Sequence, residues 1–121
     1  MPILDVNFVG PIADNVRRTM AGRVATAAGA ALGAPPRTMW VHMHFLHAND
    51  YAENERTTDT DFPVIVRVLA AEPPQGEALA AEAATLTEAI AGACGRPVEN
   101  VHLIYEPAGR GRVSFGGTLR T

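Results

Sequence analysis

The chain is one unit written twice, and this repetition restricts its fold more than any other feature. Pro2-Ile3-Leu4-Asp5-Val6 opens the first copy, and Pro63-Val64-Ile65-Val66-Arg67-Val68 opens the second, 63 − 2 = 61 residues later. Gly33-Ala34-Pro35 returns as Gly95-Arg96-Pro97, at an offset of 95 − 33 = 62. The copies span residues 2–47 and 63–117 of a chain of 121, a length that suits a single domain over 1–121. In each copy a β-branched run comes first, over Ile3 to Val9 and Val64 to Ala70. Apolar residues then recur at three- and four-residue steps: Val16, Met20, Val24, Ala28 and Ala31, and later Leu79, Ala83, Leu86, Ile90 and Ala93. That spacing marks one apolar face of a helix. Asp14 is placed to cap the first helix, and Gly33 and Gly95, with prolines close behind, are placed to end the two. Second strands follow at Met39 to Leu46 and at Val101 to Tyr105.

A strand, a helix-length crossover and a second strand make a βαβ unit with parallel strands. Two such units side by side predict an α+β fold: a four-stranded sheet with both helices on one face. The other sheet face is left uncovered with apolar residues on it, so the chain is expected to oligomerise. The polar, threonine-rich stretch Ala48 to Asp61 reads as an exposed connection.

Composition narrows the function. Hydrophobic residues make up 47 % of the chain, enough for a core, and the net charge of −3 gives no basic footprint for nucleic acid. No apolar run approaches the roughly 20 residues of a membrane span, and the start lacks the pattern of a signal peptide. The expected location is therefore the cytoplasm, with no membrane partner. The one cysteine, Cys94, excludes an intrachain disulfide and a CxxC metal site, and reads as a small buried side chain.

Pro2 carries the chemical interest. Removal of Met1 would leave it a free secondary amine. An α-amine titrates at about 7.7–8, and desolvation lowers that value. A sheltered Pro2 would then be neutral near pH 7 and able to take a proton from carbon.

Together these features resemble the tautomerase superfamily, the group of 4-oxalocrotonate tautomerase and macrophage migration inhibitory factor. The likeness rests on Pro2-Ile3, on Gly33-Ala34-Pro35-Pro36 leading into Trp40-Val41-His42, on the repeated Pro63, and on Tyr105-Glu106-Pro107 followed by Phe115-Gly116-Gly117. The tail Gly109-Arg110-Gly111-Arg112-Val113-Ser114-Phe115 is also similar to that of malonate semialdehyde decarboxylases. The resemblance implies a homotrimer with Pro2 as general base. Pro63 has an amide nitrogen, so it cannot act as a base, and it starts a strand.

The chain departs from the family at its arginines. The positions that bind dianionic acids fall on Ile12 and Trp40, and on Pro73 or Pro74 and His102. The paired arginines of decarboxylases and cis-dehalogenases fall on Ala71, Glu72 and Pro74. The decarboxylase aspartate falls near Thr38, the dehalogenase glutamate near Ser114, and the lysine of the cytokine-like members on Ala34. Chemistry that needs a carboxylate to activate water is thereby disfavoured.

The candidates for holding a substrate carboxylate are Arg67, Arg110 and Arg112. Arg67 shares a strand face with Ile65 and Leu69, and must find a ligand or an ion-pair partner, with Asp5 or Glu106 as choices across the trimer. Arg110 and Arg112 lie in a glycine-rich tail that is either a solvated loop or the border of the site. Trp40 and Phe115 would line the pocket or pack the trimer. His42 and His44 fall on one strand face about 7 Å apart. With His47 nearby they raise the question of a metal, but no carboxylate or cysteine pattern accompanies them. Interface or pocket hydrogen bonding is expected of these histidines, with His42 counted among the substrate-binding residues, and with no metal and no cofactor. His102 and Tyr105 are weaker candidates for a proton donor.

The expected activity is keto–enol tautomerisation of a small 2-oxo or unsaturated carboxylic acid. Two alternatives remain. One is a Pro2-dependent decarboxylase, dehalogenase or carbon–carbon addition enzyme working through an imine or enamine. The other is a trimeric homologue without catalysis.

Overall fold

A computed structural model describes residues 2–121; Met1, whose removal decides the state of the Pro2 nitrogen, lies outside the described residues. The chain runs β1 (Ile3–Val9), α1 (Asp14–Leu32), β2 (Trp40–Leu46), β3 (Val64–Leu69), α2 (Gly76–Cys94) and β4 (Val101–Tyr105), then a small hairpin of β5 (Ser114–Phe115) and β6 (Thr118–Leu119). The four long strands form one sheet in the order β2-β1-β3-β4. The pairs β1/β2 and β3/β4 are parallel, and β1 and β3 meet antiparallel at the centre.

Strand alternation separates two sheet faces. Leu4, Val6 and Phe8 of β1 and Val64, Val66 and Val68 of β3 point into the core, each at most 3 % exposed. Both helices cover that face, placing Met20, Val24 and Ala28 of α1 and Leu86, Ile90 and Cys94 of α2 in the same cluster. Full burial of a side chain such as Leu86 or Ile90 contributes roughly 1.5–3 kcal/mol. The helices stop where expected. Gly33 and Gly95 take left-handed φ values of 62° and 66°, and their N–H groups return to the last helical turns. Glycine reaches this conformation without the steric cost that a Cβ imposes.

One expectation needs correction and one is refined. Asp14 is the first residue of α1, while Ala13 holds the N-cap position with no side-chain bond. The Asp14 carboxylate therefore acts on the positive helix end through the macrodipole. The uncovered sheet face is not simply apolar. Ile3, Trp40, Ile65 and Ile104 share it with Asp5, Asn7, His42, His44, Arg67 and His102.

The connection 48–61 is partly built. A short 3₁₀ turn, Ala48–Asp50, is capped by His47, whose Nδ1 accepts from the Asn49 N–H at 3.1 Å. Beyond it, the Arg56 guanidinium stacks over Phe62 at 4.8 Å and Tyr51 at 5.6 Å and pairs with Glu53 at 2.8 Å. Arg96, in the connection after α2, donates to the carbonyls of Phe62 (2.6 Å) and Val9 (2.8 Å) and lies 4.0 Å above the Phe8 ring. It joins the end of β1 to the entry of β3.

Candidate active site

The C-terminal tail is tied to the exit of β3. The Gly109 N–H donates to the Ala70 carbonyl at 2.8 Å, and that of Arg110 to Ala71 at 3.2 Å. The hairpin then turns at Gly116-Gly117 and brings Phe115 edge-on to Trp40, with ring centroids 5.4 Å apart and planes at 88°. The Trp40 indole N–H donates to the Arg37 carbonyl at 3.0 Å, and its backbone N–H donates to the Pro2 carbonyl at 3.0 Å. Pro2, Trp40 and Phe115 therefore lie together at one end of the sheet. Pro2 is half-buried.

Next to them the tail and the open sheet face enclose a cleft of about 360 Å³. Ile3, which follows Pro2 directly, lines it, as do Asp5, His42, Arg67, Glu106 and Arg112. Arg67 Nη1 donates to Glu106 Oε1 at 3.2 Å. The ion pair considered for Arg67 thus forms with Glu106 inside one chain, although Asp5 is its direct partner across β1 and β3. Arg112 has no carboxylate within ion-pair distance among the described residues. Arg110 lies elsewhere: it pairs with Glu72 at 2.5 Å, and both side chains are more than half exposed.

The histidines have the carboxylate that sequence reasoning did not find. Asp5 pairs with His42 in the β1/β2 register, and Asn7 with His44. Asp5 Oδ1 lies 2.9 Å from His44 Nε2 and 3.7 Å from His42 Nδ1. The two rings stand 5.6 Å apart, edge to face. Oδ1 is shielded from solvent yet accepts no hydrogen bond among the described residues: His44 Nε2 is near but not aligned to donate, and His42 Nδ1 is too far. The sequence signal was present in Asp5 itself, an acid at an odd position of an alternating apolar strand.

The remaining candidates fall outside the cleft. His47 caps the 3₁₀ turn. His102 is exposed on β4 opposite Ile65. Tyr105 packs against the core and donates to Glu82 Oε2 at 2.8 Å. Burial first, and the Glu82 carboxylate second, hold its phenol well above the ordinary value. Burial likewise pushes the Cys94 thiol up to about 11. No helix among the described residues is long and apolar enough to cross a membrane.

No family model and no curated protein matches this sequence. Solved structures do. A native fused 4-OT superposes with a TM-score of 0.79 at 17 % identity, over 98 % of this chain and 95 % of that one. A fused 4-OT that forms an asymmetric trimer gives 0.77 at 17 % identity over the same shares. FG41 malonate semialdehyde decarboxylase, inhibited by 3-bromopropiolate, gives 0.71 at 18 % identity over 94 % and 88 % of the two chains. All three likenesses cover 94 % or more of this chain, and the chain shares their fold, that of the tautomerase superfamily.

Proposed function

We propose that the chain is a homotrimeric, cytoplasmic enzyme of this superfamily that moves a proton within a small 2-oxo or unsaturated carboxylic acid. The single observation behind this reading is the placement of Pro2. It directly precedes Ile3, which lines a cleft holding two guanidinium groups, on a fold shared with fused 4-OT and a malonate semialdehyde decarboxylase. With Met1 removed, its amine is a secondary amine on a half-buried residue beside Trp40 and Phe115. Loss of water lowers the pKa of such a group and leaves it neutral at pH 7. It takes the proton α to the carbonyl and returns it elsewhere on the conjugated system. Arg112 binds the carboxylate, and Arg67, already paired with Glu106, adds positive charge to the wall. The trimer follows the fused 4-OT proteins, and it covers the apolar part of the open face.

The test combines intact mass with kinetics. The purified chain should lack Met1, and it should speed ketonisation of phenylenolpyruvate or a dienol acid. Pro2→Ala should lose that acceleration. A mature chain that retains Met1, or equal enol decay in wild type, variant and buffer, overturns the proposal.

One observation favours a second reading. The cleft holds two carboxylates, Asp5 and Glu106, which the sequence offered only as ion-pair partners for Arg67 across the trimer. They supply what water activation needs, so decarboxylation or hydration at Pro2 becomes a rival. Borohydride trapping of an aldehyde substrate on Pro2, read by mass spectrometry, separates imine chemistry from base catalysis.

A further inference from the structure

We propose that Asp5, His42 and His44 form a binding site for a divalent transition metal of the Zn²⁺ class. The three side chains come from neighbouring parallel strands and rise from the same sheet face. One ligand atom from each lies within 4.8 Å of the others. The contacts to Asp5 Oδ1, at 2.9 and 3.7 Å, bracket the roughly 3.3 Å between neighbouring ligands in a tetrahedral shell with bonds of about 2.0 Å.

Two features separate this set from an ordinary ion pair. The first is the unsatisfied oxygen. A shielded carboxylate oxygen without a donor is costly, and here it sits near two imidazole nitrogens, neither of which gives it a hydrogen bond. Ligand atoms that converge on a common ion have this relation, because their lone pairs face a third point. The second is Arg67. It stands directly across from Asp5 yet pairs with Glu106, so no guanidinium neutralises Asp5. A cation between Asp5 and the imidazoles satisfies the oxygen and the charge together.

The donor set selects the metal. Two imidazoles and one carboxylate suit Zn²⁺ or Fe²⁺, whereas Mg²⁺ and Ca²⁺ favour oxygen ligands. Three protein ligands leave at least one coordination position for water or an anion. Asp5 and His42 also line the cleft that holds Arg112. The rings of His42 and His44 are 60 % and 57 % exposed, which lets them close on an ion without moving the core. The proposal does not depend on the Pro2 reading, and its test does not pass through activity.

The experiment uses the untagged full-length chain, stripped with a chelator. Zn²⁺ is titrated in a calorimeter, and Co²⁺ is followed by visible absorption. The expected result is one ion per chain with a Kd of about 10 µM or tighter and a Co²⁺ spectrum unlike that of the hydrated ion. His44→Gln and Asp5→Asn should each weaken binding at least about 10-fold, while His47→Gln and His102→Gln should leave it unchanged. Circular dichroism confirms that each variant is folded; should Asp5→Asn fail to fold, the exposed His44→Gln carries the test alone. Absence of saturable binding below about 1 mM, or His44→Gln binding Zn²⁺ as wild type does, overturns the site.

Discussion

Removal of Arg112 should weaken substrate capture, while removal of Arg110, two residues away, should not. The structure distinguishes them by their existing partners. The Arg110 guanidinium is engaged by Glu72 in solvent, whereas Arg112 lines the cleft with no carboxylate within ion-pair distance among the described residues. A hydrogen bond to a charged group contributes about 1.5–3 kcal/mol. Loss of the Arg112 contact should therefore lower kcat/KM by about 10- to 150-fold at about 1.4 kcal/mol per decade. The carboxylate is bound in the ground state and the transition state alike, so the change should appear mainly in KM. Arg110→Ala should stay within about twofold, as expected of an exposed pair contributing about 0–1 kcal/mol. Arg67→Ala differs again. It leaves Glu106 unpaired and facing the substrate carboxylate, so Glu106→Gln in the same chain should recover part of the loss. The assay is steady-state ketonisation of an enol acid, run beside its methyl ester. The ester carries no charge, so Arg112→Ala should treat it as wild type does. Equal losses for Arg110→Ala and Arg112→Ala, or an equal loss on acid and ester, would refute the assignment of Arg112 as the carboxylate ligand.

Two further predictions concern the scaffold. Arg96→Ala removes charge-assisted bonds to the carbonyls of Phe62 and Val9, a longer one to that of Pro63, and a ring contact; since the group is only part-buried, the loss should be about 3 kcal/mol. Urea unfolding at fixed protein concentration should show it, with Arg96→Lys recovering only part because an ammonium lacks the fork; an unchanged midpoint for Arg96→Ala would contradict this. Cys94, whose thiol is raised from 9.0 to about 11 in the fold, should make stability fall as pH rises through that window. There the folded chain keeps a proton that the unfolded chain has released. Cys94→Ala should flatten the decline between pH 9 and 10, and an identical slope in both proteins would show that the thiol is not its source.

The scaffold was legible because its signals are local. Apolar spacing in Met20, Val24 and Ala28 and in Leu86 and Ile90 marks helix faces, and the β-branched runs from Ile3 to Val9 and from Val64 to Ala70 mark strands. Each of these signals can be read within one turn or one strand. Asp14 was off by one position because a cap depends on where the first helical φ/ψ pair falls, and an acid in the first turn gives nearly the same sequence signal. Arg110 and Arg112 were equivalent in sequence. Backbone bonds from Gly109 and Arg110 to Ala70 and Ala71 separate them, turning one toward Glu72 and the other into the cleft.

The meeting of Asp5 with His42 and His44 was the largest omission, and its cause is the register between strands. Alternation places Asp5 on the open face, but its neighbour there depends on how β1 lies against β2, whose His42 is 42 − 5 = 37 residues away in sequence. A slip of one residue would set Asp5 against Val41 or Met43, whose side chains face the helices, and the three ligand atoms would not meet. The core fixes the register instead: Leu4, Val6 and Phe8 must lie beside Val41, Met43 and Phe45 to face the same helices. The polar cluster on the open face is therefore held in place by apolar packing on the other side of the sheet. Its geometry should survive substitution of His42 or His44 themselves, but not a change at Val6 or Met43 that lets the strands slide.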